Sequence, residues 1–164
     1  MKRHVRAFLK EFVFGLALVC ASAAMAAGSS SSSRPRTPAP AQPSAYELGV
    51  QAVQSRDYAR ALSLMQKVVD SDPRNADAWN YLGFSQRNLR RFDAALAAYQ
   101  KALAIDPGHR GANEYLGELY LQTGDLAKAQ GRLEKLGSLC PSGCKELDDL
   151  KKAVRAFEAA HRKG

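Results

Sequence analysis

The chain has 164 residues, 46% of them hydrophobic, and a formal charge of +8 from 24 basic and 16 acidic side chains. That length holds one domain with a core of its own, and so modest a charge excess gives no reason to expect nucleic acid as a partner. With three histidines and three cysteines in all, no phosphate loop, no nucleophile with a histidine base and no metal-ligand cluster is visible, so neither an enzyme nor a cofactor is expected.

The N-terminus carries Lys2, Arg3, Arg6 and Lys10, then an apolar run from Phe12 to Ala24, then the small-residue pattern Ala24-Met25-Ala26. This order predicts a secretory signal peptide over residues 1–26. Its apolar run falls well short of the roughly twenty residues a spanning helix needs, so cleavage is expected rather than a stable membrane span. Cys20 follows Leu18-Val19 instead of the small residue that precedes a lipidated cysteine, and is expected to leave with the signal. Loss of Lys2, Arg3, Arg6, Lys10 and Glu11 would lower the charge from +8 to +5. A periplasmic or secreted location follows as an expectation. Residues 27–43, "AGSSSSSRPRTPAPAQP", hold almost no large apolar side chain and are expected to form a flexible linker.

From Gln42 onward the chain repeats every 34 residues. Leu48-Gly49, Leu82-Gly83 and Leu116-Gly117 are in register, as are Ala61, Ala95 and Ala129, and Pro73, Pro107 and Pro141. Large side chains recur at Tyr58, Phe92 and Leu126, and at Met65, Tyr99 and Leu133. Each unit (42–75, 76–109, 110–143) has helical periodicity in two stretches; in the middle one Trp79, Leu82, Gly83 and Gln86 mark the first helix, and Phe92, Ala95, Leu96, Tyr99, Ala102 and Leu103 the second. The glycine and alanine columns suit helices that cross closely, and the proline column ends each unit. Trp79 falls in a packing column and is expected in the core.

These columns resemble the tetratricopeptide repeat family over Gln42 to Pro141, with Trp79, Leu82, Gly83, Ala95, Tyr99, Ala102 and Pro107 at the family's positions in the middle unit. Gln86 departs from the usual tyrosine, and Arg90-Arg91 replaces the Gly-Asp kept as Gly124-Asp125. The resemblance implies an all-α fold: a short right-handed superhelical solenoid of three helix pairs. It also implies a concave groove, lined by the first helix of each pair, that takes a peptide or helix of a partner protein. Residue by residue the groove would hold Tyr46, Val50, Val53 and Gln54, then Asn80, Phe84, Arg87 and Asn88, then Glu114, Glu118, Leu121 and Gln122. Asn80, Asn88 and Gln122 could bond a peptide backbone in either sense, Arg87 could meet a partner carboxylate, and Glu114 with Glu118 would favour a basic segment. The basic and amide clamp by which chaperone-binding members hold a C-terminal carboxylate is expected to be absent, because Tyr46 and Val50 fill its first places. The cluster Arg87, Arg90 and Arg91 reads as a solvated rim.

After the repeats, Leu147, Leu150, Val154 and Phe157 form an apolar stripe on a C-terminal capping helix over 144–164. Its acids gather early and its bases late, as the helix dipole favours. Gly131 and Gly137 interrupt the helix before it, so the last pair is expected to be the loosest. Cys140 and Cys144 stand at the joint, and an exported protein meets an oxidising compartment, which points to a disulfide fixing how the cap docks. Three other uses stay open or fall away: a redox dithiol usually has a two-residue spacing beside a strand, Cu(I) would want further soft ligands that are not near, and covalent haem would want a histidine where Lys145 stands. The sequence therefore points to an interaction adaptor or scaffold of the cell envelope, with an accessory role in thiol or copper handling as the alternative. Self-association is a third option, since the first pair has no evident N-terminal cap.

Overall fold

The computed structural model describes residues 42–162, and among them it forms seven α-helices and no strand. They are α1 (Ala45–Gln54), α2 (Tyr58–Ser71), α3 (Ala76–Asn88), α4 (Phe92–Ile105), α5 (Arg110–Gln122), α6 (Leu126–Leu139) and α7 (Lys145–His161). The expected signal peptide and nearly all of the expected linker lie outside the described residues. No described helix is long and apolar enough to cross a membrane.

Consecutive helices pack on one another from α1 to α7, and α1 also touches α3, α3 touches α5 and α5 touches α7. The even-numbered helices make no such contacts among themselves. The odd-numbered helices are therefore the inner, concave layer of a curved stack and the even-numbered ones its convex layer.

The repeat columns account for the core. Ala61, Ala95 and Ala129 have no exposure at all, and Leu82, Leu116 and Leu150 are buried. A Cβ built on Gly49 would stand 2.7 Å from Met65 Cε, and one on Gly83 would stand 2.7 Å from the Tyr99 ring, so any larger residue would force the facing side chain to move. The third glycine behaves differently. A Cβ on Gly117 would meet Leu150 Cδ2 at 2.6 Å, so the space left on α5 is filled from α7 rather than from Leu133 of its own pair. Leu150 stands 34 residues after Leu116: the capping helix occupies the place of a first helix in a further unit. Trp79 is only partly buried, packed against the first core cluster, with its indole Nε1 donating to Pro73 O at 3.0 Å.

The turns repeat as faithfully as the core. Asp72, Asp106 and Cys140 cap the C-termini of α2, α4 and α6 with φ near −130° in each, and each carbonyl accepts from the N–H three residues on. In the first two turns the aspartate Oδ1 accepts from a nearby backbone N–H, that of Arg74 or Gly108. In the third the cysteine instead faces Cys144, the N-cap of α7, with Cα atoms 5.8 Å apart and sulfurs in bonding contact. Within the pairs, Arg56, Arg90 and Gly124 share one position and adopt φ of 61°, 59° and 84°. Only glycine takes that conformation without strain. The next position is the N-cap: Asp57 and Asp125 accept from the N–H groups of Arg60 and Lys128, while Arg91 makes no cap bond.

Two stability results are expected. Gly131 and Gly137 would set a new Cβ in open space, so Gly131→Ala and Gly137→Ala should each stabilise the protein by roughly 0.5–1 kcal/mol in chemical denaturation. Arg91→Asp should add about 1 kcal/mol by supplying the missing cap of α4. No gain in either case would show that the glycines of α6 and the start of α4 do not limit stability.

Candidate interaction surface

The concave layer begins with Tyr46 and Val50, half-buried against the first core cluster, with Val53 half-buried and Gln54 exposed at the end of α1. Tyr46 meets Tyr81 edge-on at 6.1 Å, and Phe84 packs between Tyr58 at 5.9 Å and Tyr115 at 4.8 Å. The first half of the expected groove is thus an aromatic belt that joins helices of neighbouring pairs. Asn80 is 5% exposed, and its Nδ2 lies against Gly111. Of the three amides expected to hold a peptide, only Asn88 and Gln122 reach the surface, and Asn88 already donates to Phe84 O at 2.8 Å.

The charges are arranged differently from the expectation. Arg87 is no solvated rim residue: it is 9% exposed and its Nη2 lies 2.6 Å from Glu118 Oε2. Its guanidinium also stands 5.4 Å from the Phe84 ring centroid and 5.7 Å from that of Tyr115, positions that favour a cation over aromatic faces. The carboxylate expected from a partner is supplied by the chain itself. Glu114 is 6% exposed, and its pKa is pushed up to about 8, first by burial and then by the negative charges of Glu118 and Asp149 and, less, Glu146, against the pull of Lys145. Lys145 itself pairs with Asp149. Burial and its acidic neighbours favour the protonated form of Glu114, and Glu118 is paired with Arg87, so this end is less acidic than its residue types suggest. The physical reason is that both acids face a neighbouring helix, which their positions on a single helical wheel do not reveal.

What remains open is a trough of about 400 Å³ lined by Arg87, Glu118, Leu121 and Gln122 on one side and by Ala153, Ala156 and Phe157 on the other. Leu121 and Gln122 fall where the sequence put them. The α7 wall was missed, although the spacing from Leu116 to Leu150 carried the signal. Beside the trough lies a second recess of about 270 Å³, lined by Arg87, Asn88, Arg90, Phe92 and Gln122. Among the described residues no group of three or more His, Cys, Asp or Glu side chains is placed to hold a metal ion.

Two tetratricopeptide repeat profiles match, over residues 46–110 and 86–139. The chain belongs to the tetratricopeptide repeat family. Protein FlbA of Caulobacter vibrioides is 39% identical over 70 residues, covering 43% of this chain and 12% of FlbA. The PEX5-related protein of Homo sapiens is 30% identical over 82 residues, covering 50% and 13% respectively. The chain thus spans about an eighth of the length of these relatives. In fold it is similar to the Yersinia enterocolitica type III secretion chaperone SycD in complex with a peptide of the translocator YopD, with TM-score 0.61 and 23% identity over 73% of this chain and 90% of that one. It is also similar to the first repeat domain of RPAP3 bound to an HSP90 peptide, with TM-score 0.61 and 21% identity over 69% and 90%.

The state of Glu114 has a consequence for pH. Its folded pKa lies above its unfolded value of 4.5, so the native state holds a proton that the unfolded state releases, and stability falls as pH rises from about 4.5 to 8. Glu114→Gln should flatten that fall, with the variant gaining on the order of 1–3 kcal/mol over wild type at pH 8 relative to pH 5. Parallel curves for the two proteins in denaturation at both pH values would contradict the buried, protonated assignment.

Proposed function

We propose that this repeat protein is a non-enzymatic adaptor of the periplasm or cell envelope that holds a peptide or helix of a partner protein on its concave face. The observation that carries the reading is the trough between α5 and α7. It is an apolar recess on the inner layer, wide enough for a side chain because Ala153 and Ala156 are small, and bordered by the exposed amide of Gln122. Relatives of the same fold hold peptides, as with SycD and YopD and with RPAP3 and HSP90. The location rests on the N-terminal order of charged, apolar and small residues.

A photo-crosslinking residue in place of Leu121 should capture a partner in intact cells, whereas one in place of Lys101, on the convex side, should not. Equal capture at both positions, or none at Leu121, would sink the concave-face reading.

The cysteine pair belongs to the same reading as a disulfide that holds the α6–α7 turn. Where Asp72 and Asp106 bond their own turns from the side chain, Cys140 would bond Cys144 instead and tie the α7 wall in place. Protein taken from the envelope and unfolded without reductant should show no free thiol, and Cys140→Ala with Cys144→Ala should cost about 2 kcal/mol. Two free thiols in that sample would refute the staple.

A further inference from the structure

Given a partner segment on the concave face, as proposed above, the two adjoining recesses define its chemistry. The trough offers Leu121, Ala153, Ala156 and Phe157, and its one acidic residue, Glu118, is neutralised by Arg87 at 2.6 Å. The neighbouring recess shares Arg87 and Gln122 with the trough and has no acidic residue among its described lining residues. Its cation is Arg90, which is exposed and makes no ion pair among the described residues; its guanidinium lies 6.0 Å from the Phe92 ring centroid. Arg90 also holds φ of 59°, as Arg56 does with 61° at the same place in the first unit, where the third unit has Gly124. The chain thus keeps a charged side chain where glycine would relieve the backbone, and α4 behind it goes without a side-chain cap.

We propose that the occupant is an acidic amphipathic segment of a partner protein. An aliphatic side chain seats between Leu121 and Phe157, and a carboxylate about one helical turn away meets Arg90, with the Gln122 amide between the two. The pairing follows from charge complementarity: a basic segment seated in the same trough would bring its cation against Arg90 with no free carboxylate among the described lining residues of either recess to offset it. An exposed Arg–carboxylate contact of this kind changes affinity by about fivefold, enough to bias selection of a partner without fixing its whole sequence.

The test is selection of random peptides from a display library on protein processed by cells that express the full-length sequence. Wild type is compared with Arg90→Glu, Arg90→Gly and Ala156→Lys, the last placing a long charged side chain in the trough. Arg90→Gly should unfold at the same temperature as wild type or higher, since it relieves the backbone, which separates binding from folding. The expected result is enrichment of aliphatic residues with Asp or Glu about one turn away on wild type. That acidic preference should vanish on Arg90→Gly and invert towards Lys and Arg on Arg90→Glu. Basic or neutral peptides on wild type, or an acidic preference that survives Arg90→Gly, would overturn the inference and leave the adaptor reading standing. Wild type that selects no more peptide than Ala156→Lys, or that pairs through this face with a second copy of itself in sedimentation, would remove the peptide-binding reading, and the inference with it.

Discussion

Leu150 seated over Gly117 is the contact on which the end of the concave layer depends. Where α1 and α3 use their glycines to admit Met65 and Tyr99 from the following helix, α5 uses Gly117 to admit a side chain of α7, and a Cβ there would stand 2.6 Å from Leu150 Cδ2. Leu150 and Val154 then complete the third core cluster with Ala129 and Leu136. A helix that only closed the end of a stack would need little more than an apolar inner face. Docked in this register, α7 also extends the concave layer by one helix, and its outer edge of Ala153, Ala156 and Phe157 becomes a wall of the trough.

The same close packing decides the electrostatics. Bringing α3, α5 and α7 together buries Arg87 and Glu114 and sets Glu118 against the arginine. Arg87 and the half-buried Glu118 lie against each other as an ion pair, whereas Glu114, buried and facing further carboxylates, has its pKa pushed up towards the neutral form. The groove is therefore less charged than its residue types suggest. Its open cation is displaced from Arg87 to Arg90, in the turn between α3 and α4. Strain at Arg90 and the uncapped start of α4 are tolerated there, a pattern that elsewhere accompanies functional turns.

The fold was legible because close-packed columns leave a strict signature: a glycine or alanine that must be small recurs every 34 residues, and the structure places Gly83, Ala95 and Tyr99 where that spacing put them. The turns were legible in principle as well. Cys140 stands in the column of Asp72 and Asp106 and Arg90 in that of Gly124, although those columns gain meaning only once the capping geometry is seen. The surroundings of the candidate residues were less legible. Leu121 and Gln122 line the trough, while Asn80, Arg87 and Glu114 are turned into contacts between helices. Helical periodicity reports which face a residue lies on, whereas its charge state depends on what the next helix places against it.

On the proposed reading, the concave surface completed by α7 receives the partner segment. Backbone amide chemical-shift mapping of the protein titrated with a peptide selected on it tests this directly. Perturbations should concentrate at Leu121, Gln122, Arg90 and the Ala153–Phe157 stretch, with the convex helices α2 and α4 unaffected beyond the first turn of α4. Perturbations centred on the convex surface around Gln66 of α2 and Lys101 of α4, with α7 silent, would overturn that reading.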